Sequence, residues 1–139
     1  MDVLTPAQRS KCMSAIRGKN TQPELAVRSL VHRLGFRYAL HRRDLPGCPD
    51  MVFASRRKII FVHGCFWHSH RCKYGSVKPK SNAGFWQAKR DGNSDRDRRN
   101  IRKLRRQGWR VLTIWECWVR DPERLRTIIL RFLSGRVLL

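Results

Sequence analysis

The segment over residues 59–72, which reads I-I-F-V-H-G-C-F-W-H-S-H-R-C, constrains the fold of this chain more than any other. It begins as a run of β-branched and aromatic residues, the composition of a buried strand. The run breaks at Gly64, and histidines, cysteines and large aromatic residues follow at once. The fold must therefore end a buried strand in a loop that carries metal-ligating and aromatic side chains.

Each side chain of this loop, taken alone, has an ordinary explanation, because cysteines are often buried as small apolar residues and single histidines are common in cores and on surfaces. Taken together, and placed directly after a strand, they favour a metal site or an active site. Cys65, His70 and Cys72 offer three ligands of the type that zinc prefers. A closed tetrahedral site requires a fourth ligand.

The charge of the chain indicates its partner. There are 31 lysine and arginine residues against 10 aspartate and glutamate residues, a formal charge of +21. Such a chain repels itself unless it meets a polyanion, so we expect nucleic acid as the partner. An anionic membrane surface is the alternative, but no long apolar run and no isolated basic amphipathic segment supports it.

Length and cysteine count predict a single cytoplasmic domain. The 139 residues are enough for one core, and no internal repeat or low-complexity segment divides them. The five cysteines are an odd number, and the N-terminus lacks the apolar region of a signal peptide. We therefore expect metal-bound or free thiols rather than disulfides.

Helix and strand signals follow one another along the chain. Capping signatures and helical spacing of apolar residues predict helices over residues 5–17, 21–34, 95–106 and 121–133, with a short helix around Phe85 and Trp86 that ends near Gly92. Apolar runs predict strands over residues 36–41, 51–54, 58–62 and 109–115, the middle two forming a hairpin. This order predicts an α/β sandwich around a mixed sheet.

Several residues keep two explanations at this level. Glu24 stands three residues after Thr21 in a capping box, which explains it without catalysis. Asp50 follows a proline-rich turn, where an aspartate satisfied by backbone amides is common. Met13 and Ile16 share one face of the first helix and either pack loosely or contact a partner. The aromatic pair near residue 85 either covers the sheet or stacks on bases.

A set of longer motifs carries a family resemblance. H-G-C-F-W-H-x-H-x-C, preceded by L-P-G-x-P-D and followed by F-W, D-R-D-R-R, G-W-R-V-L and W-E-C, resembles the very-short-patch repair (Vsr) DNA mismatch endonucleases over residues 9–117. The resemblance implies a restriction-endonuclease-like α/β core, with a mixed sheet flanked by helices and a structural zinc site. It implies one domain over residues 1–139, in which residues 1–18 form a DNA-contacting helix.

The resemblance implies an enzyme, a DNA endonuclease that nicks one strand beside the thymine of a G·T mispair. Such a mispair arises when 5-methylcytosine is deaminated. Phosphodiester hydrolysis of this kind requires a divalent cation, Mg²⁺, and a base that activates water. Asp50 corresponds to the aspartate that holds Mg²⁺, and Val62 to the residue that lends it a backbone carbonyl. Glu24 corresponds to a helix glutamate near the metal.

Two histidines correspond to the catalytic histidines of the family. We expect His68 to act as the general base, because an imidazole with a pKa near neutrality can take a proton from water. We expect His63 to be oriented by an acid, with Asp97 as the partner.

The resemblance also supplies the remaining zinc ligand. The implied structural zinc ligands are Cys65, His70, Cys72 and Cys117. Cys12 and Cys48 match no ligand position and are expected to be free thiols.

The DNA-contacting residues implied by the resemblance are Met13, Ile16, Phe66, Trp67, Trp86 and Asn93. The aromatic members enter the base stack beside the mispair, and Met13 and Ile16 wedge from the minor groove. A G·T wobble pair stacks poorly, so opening that step costs less than opening a matched step, and deformability becomes specificity.

The implied partner is double-stranded DNA with a G·T mispair, bound by a monomer in the bacterial cytoplasm, with no membrane. A cytosine-5 DNA methyltransferase is a functional link, and a mismatch-repair matchmaker protein is a further candidate partner. Two alternatives stay open: a zinc-stabilised nucleic-acid-binding module without catalysis, and a less selective nuclease on the same fold. A zinc base deaminase is disfavoured, because H-x-E and P-C-x-x-C are absent.

Overall fold

The computed structural model describes residues 21–66, 68, 70–72 and 82–135. The predicted first helix lies outside the described residues. Among the predicted DNA contacts, Met13, Ile16 and Trp67 also lie outside them. In the part of the chain that is described, no helix is long and apolar enough to cross a membrane.

Four strands form one mixed sheet in the order β1-β2-β3-β4. They are β1 (Ala39–Leu40), β2 (Met51–Phe53), β3 (Lys58–His63) and β4 (Arg110–Trp115). β2 is antiparallel to both β1 and β3, and β4 runs parallel to β3. The predicted hairpin and mixed sheet are therefore confirmed. β1 is shorter than predicted, and His41, with a φ of +47°, leaves the extended conformation directly after it.

Helices cover both faces of the sheet. Ile60 of β3 packs in a cluster with residues of α1 (Gln22–Arg33) and α3 (Pro122–Ser134). Ile59 packs on the other face with residues of α2 (Ala83–Arg106). Successive side chains of a strand point to opposite faces, so β3 supplies both halves of the core. The predicted α/β sandwich is confirmed.

The helix α2 corrects one prediction. It runs without a break over 24 residues, whereas the sequence predicted two helices separated near Gly92. A glycine inside a helix costs only about 1 kcal/mol relative to alanine. Packing on both sides of Gly92 outweighs that cost: Leu104 is fully buried against the sheet, and Arg90 is buried two residues before the glycine.

Two cations from the β2–β3 hairpin cap the end of α3. The buried Lys58 ammonium donates to the carbonyl oxygens of Phe132, Leu133 at 3.4 Å and Gly135 at 3.3 Å. Arg56 Nη1 donates to the same Leu133 carbonyl at 3.0 Å. The last carbonyls of a helix lack partners within the helix and carry partial negative charge, so cations there stabilise the fold. Burial, followed by the charges of nearby arginines, lowers the pKa of Lys58.

The cysteines divide into two groups. Cys65, Cys72 and Cys117 are free thiols, as expected. Cys48 is disulfide-bonded, so the prediction that it is a free thiol is wrong.

Candidate active site and metal centre

The groups that could carry chemistry gather where β3 ends. Because β2 is antiparallel to β3, Asp50, which directly precedes β2, lies beside the end of β3. Because β4 is parallel to β3, its last residue Trp115 pairs with His63. The hairpin strands β2 and β3 and the parallel strand β4 therefore bring side chains from distant parts of the chain to the same end of the sheet.

The first group contains Asp50, Glu24 and His41. Asp50 Oδ2 accepts a hydrogen bond of 2.7 Å from the backbone N–H of Val62. Glu24 is 1% exposed, and its two carboxylate oxygens lie 3.2 and 3.1 Å from His41 Nε2. The three residues can each offer one ligand atom within 4.8 Å of the others.

Glu24 combines a backbone role with a side-chain role. Its N–H donates to the Thr21 hydroxyl, which confirms the predicted helix cap. Its carboxylate, however, bonds to His41 and to Arg28 Nη1 at 3.3 Å, away from the cap. Capping thus explains the start of α1 but not the burial of the Glu24 side chain.

The electrostatics of this group fit a cation. Burial and, after it, the nearby Glu24 carboxylate hold the pKa of Asp50 well above its usual range, although the Val62 N–H acts in the opposite sense. Two carboxylates that lie close together repel each other unless a positive charge lies between them. Carboxylate oxygens are the ligands that Mg²⁺ prefers, so the donor set fits the metal expected from the sequence.

The second group contains His63, His68 and Asp97. The two imidazoles stack with ring centroids 3.9 Å apart and an angle of 8° between their planes. Asp97, from α2, forms a short hydrogen bond with His68 Nδ1. Asp97 Oδ2 lies 3.9 Å from His63 Nδ1, which is too far for a hydrogen bond. The acid thus hydrogen-bonds to His68, and its contact with His63, the partner expected from the sequence, is a longer ion pair.

The two imidazoles therefore differ in their chemistry. An aspartate on Nδ1 holds a neutral imidazole in the tautomer that keeps its proton there and leaves Nε2 as an acceptor. His68 has this arrangement and is partly exposed. Burial, with a smaller contribution from His68, lowers the pKa of His63 to about 3, so His63 is neutral at neutral pH.

The third group is a cluster of soft ligands made of Cys65, His70, Cys72 and Cys117, whose ligand atoms lie within 4.8 Å of one another. His70 Nδ1 is 3.6 Å from Cys65 Sγ and 3.5 Å from Cys117 Sγ. Zinc–sulfur and zinc–nitrogen bonds of about 2.3 and 2.0 Å in a tetrahedron place sulfur and nitrogen about 3.5 Å apart. Donor type, number and spacing all fit zinc.

A tryptophan lies between the second and third groups. The Trp115 ring stacks on His70 at 4.1 Å and meets His63 edge-on at 5.4 Å. Beside it, the N–H of Cys65 donates to Glu116 Oε1 at 3.3 Å. Contacts of this kind fix the orientation of metal ligands.

Sequence reasoning missed His41 and Trp115 as members of the site. Both had a usable signal. His41 ends the predicted strand that adjoins Asp50 in an antiparallel sheet, and Trp115 ends the strand that leads into Cys117.

Three of the predicted DNA contacts, Phe66, Trp86 and Asn93, lie within the described residues. Phe66, partly buried, follows Cys65 in the loop, and the Arg90 guanidinium lies 4.6 Å from the centre of its ring. Trp86 and Asn93 are partly buried on α2. Phe85, next to Trp86, is 59% exposed.

The mixed sheet with helices on both faces resembles that of a solved nuclease domain. Its likeness to the catalytic domain of the homing endonuclease I-Bth0305I has a TM-score of 0.58 at 20% identity, over 85% of this chain and 99% of that one, and shows the fold. Relatives in sequence complete the class, because they are endonucleases and nicking enzymes. Fold, site and relatives together define a DNA endonuclease.

The sequence comparisons give the family. The family described as DNA mismatch endonuclease Vsr matches residues 1–74. Type II nicking enzyme V.XorIIP of Xanthomonas oryzae pv. oryzae is 49% identical over 132 residues, covering 92% of this chain and 96% of the relative. DNA mismatch endonuclease Vsr of Escherichia coli is 44% identical over 124 residues, covering 89% and 79%. The chain belongs to the Vsr family of DNA mismatch endonucleases.

Proposed function

We propose that this protein nicks one strand of duplex DNA beside the thymine of a G·T mispair, by Mg²⁺-dependent hydrolysis of a phosphodiester bond, in very-short-patch repair. The observation that carries the proposal is the presence, where β3 ends, of a carboxylate pair and an Asp–His pair in a chain of the Vsr family. Relatives named as nicking enzymes support cleavage of one strand.

The carboxylate pair holds the cation in this proposal. Asp50 and Glu24 supply oxygen ligands, and the Val62 carbonyl is the third protein ligand expected from the family. A bound Mg²⁺ neutralises charge that develops on the phosphate and makes a water molecule more acidic. The Val62 N–H fixes one oxygen of Asp50, which leaves the other oxygen for a ligand.

His68 moves the proton. Its Nε2 takes a proton from the attacking water while the water oxygen bonds to phosphorus and the bond from phosphorus to the departing strand end breaks. Asp97 on Nδ1 stabilises the imidazolium that forms, as in other acid–histidine pairs. His63, stacked on His68 and buried, keeps the His68 ring from turning.

The cluster of Cys65, His70, Cys72 and Cys117, called the thiolate cluster from here on, has a structural role in the proposal. Cys65, His70 and Cys72 belong to the loop after β3, and Cys117 follows β4. A zinc ion bound by all four ties that loop to the end of the neighbouring strand. The ion therefore fixes the short stretch of chain that holds His68.

Recognition of the mispair is assigned to Phe66, Trp86 and Asn93, together with Trp67, Met13 and Ile16. A mispair of this kind links the enzyme to a cytosine-5 DNA methyltransferase, whose product gives rise to it. The protein is proposed to act as a monomer in the cytoplasm, and a mismatch-repair matchmaker protein is a candidate partner.

A substrate comparison tests the proposal. The protein is incubated with otherwise identical duplexes that contain G·T, G·C or another mispair, with Mg²⁺ or with a chelator. We expect a single nick beside the T, in the G·T duplex only and with Mg²⁺ only. Equal nicking of all duplexes would favour the less selective nuclease, and binding without any nick would favour the binding module.

A further inference from the structure

One face of α2 holds the loop after β3 at several points. Arg90, Ser94, Asp97, Ile101 and Leu104 recur at intervals of three and four residues and share that face. At the far end, Leu104 is fully buried and Ile101 packs beside it against the sheet. The helix is therefore fixed to the sheet at one end of this face.

The polar members of the same face contact the loop. Arg90 Nε donates to the Phe66 carbonyl at 2.7 Å, and the Ser94 hydroxyl donates to the His68 carbonyl at 3.2 Å. Asp97 bonds to the His68 imidazole. Two of the three bonds go to backbone carbonyls, so they fix the path of the loop regardless of its side chains.

Arg90 makes two kinds of contact with Phe66. Besides the carbonyl bond, its guanidinium lies 4.6 Å from the centre of the Phe66 ring. Only 6% of Arg90 is exposed, and arginine is rarely buried to that degree without partners. A planar guanidinium can donate from Nε in its own plane and present its face to a ring, whereas the single ammonium of lysine cannot do both.

We propose that Arg90 is a positioning residue, which holds the Phe66 ring at the angle needed to enter the base stack and, through the same loop, keeps His68 in register with the opened step. The proposal rests on the role of Phe66 proposed above. Arg90 thus couples detection of the mispair to cleavage, without touching the DNA in this role.

The test uses matched arginine substitutions in the full chain with zinc bound. Arg90→Gln and Arg90→Lys are compared with Arg102→Gln, which removes one charge from an exposed position on the same helix. The substrates are a G·T duplex and its G·C counterpart, each with 2-aminopurine next to the pair to report unstacking.

We expect both Arg90 variants to lower kcat on the G·T duplex about tenfold or more, with little change in KM, because a small misplacement of reacting groups is costly. We expect the 2-aminopurine signal to fall with kcat. Arg102→Gln should at most weaken binding of both duplexes equally. Full unstacking by either Arg90 variant would overturn the positioning role.

A measurement on the unaltered protein covers the case in which a variant does not fold. We expect the Arg90 Nε proton to exchange slowly with water in NMR spectra, because it is buried in a hydrogen bond. Rapid exchange would overturn the proposal. If the unaltered protein neither unstacks nor nicks the G·T duplex, the proposed function and the role of Arg90 both fail. If it does both and the variants match it, only the role of Arg90 fails.

Discussion

A charged side chain lies near each end of β3, Lys58 at the start and Asp50 at the other end, and the surroundings of the two charges differ. At the start, the Lys58 ammonium faces carbonyl oxygens at the end of α3, so a cation meets groups of opposite polarity. At the other end, the Asp50 carboxylate receives one backbone N–H and lies near a second carboxylate, Glu24. The first arrangement stabilises the fold as it stands. In the second, Arg28 pairs with Glu24, whereas Asp50 faces an acid and a single backbone amide. Charged groups with strongly shifted pKa values are typical of functional sites.

The largest expected effect breaks the second arrangement. Asp50→Asn removes a proposed metal ligand, so we expect nicking of a G·T duplex to fall about a thousandfold or more. Removing one of two like charges should leave the melting temperature, measured in chelator, unchanged or higher. The control is Asp44→Asn, a surface acid paired with Arg42, which should alter neither quantity. A large loss of stability in Asp50→Asn would place Asp50 with Lys58 as a structural charge.

The thiolate cluster lies at the same end of the sheet but should behave like the structural end. We expect Cys117→Ser to lower zinc content and to lower the free energy of unfolding by about 3 kcal/mol, as loss of a structural metal does. A chelator should lower the melting temperature of the unaltered protein but hardly that of the variant. Normal zinc content with lost nicking would show that Cys117 has another role.

A substitution of Asp97 tests which of the two imidazoles this carboxylate assists in catalysis. Asp97→Asn keeps the shape of the side chain but no longer stabilises the imidazolium on His68, so we expect single-turnover nicking to fall about a hundredfold. The matched change Asp95→Asn, at an exposed position two residues away, should have no such effect. If the double variant His63→Gln with Asp97→Asn loses as much nicking activity as the two single losses combined, Asp97 acts independently of His63.

The smallest expected effect concerns the start of β3. Lys58→Met removes the ammonium donor to the Phe132 and Gly135 carbonyls, so we expect the free energy of unfolding to fall by about 1–3 kcal/mol. Nicking per folded molecule should be unchanged. Lys103→Met, at an exposed position of α2, should change stability by at most about 0.5 kcal/mol. A catalytic defect in Lys58→Met would end the contrast between the two ends.

The sequence predicted what depends on neighbouring residues. β3 and its hairpin followed from a continuous apolar run and a basic turn, and the ligand loop followed from the density of histidine and cysteine after Gly64. Three of the expected zinc ligands followed from the loop, whereas Cys117 and the metal-side role of Glu24 came from the family resemblance, and the structure brings each set together. Local patterns and motifs were sufficient for these features.

Features that depend on tertiary packing were not predicted. Gly92 is a poor helix residue by propensity, yet α2 continues through it because buried residues hold the helix on both sides of it. Because α2 continues without a break, Asp97 hydrogen-bonds to His68 and lies 3.9 Å from His63. The spacing of residues along the chain does not predict which of the two stacked imidazoles the acid bonds to. His41 was missed because its partner Glu24 lies on a helix, 17 residues away.

The hydrogen bond from Val62 to Asp50 has an evolutionary consequence. Asp50 is held by a backbone amide proton, which every residue except proline provides. The side chain at position 62 is constrained separately, because Val62 packs against the core. What must be conserved is the length of the turn between β2 and β3, because inserting or deleting one residue there would set a different amide opposite the acid. For this hydrogen bond, we expect selection to act on the length of the turn between β2 and β3 rather than on the residue at position 62.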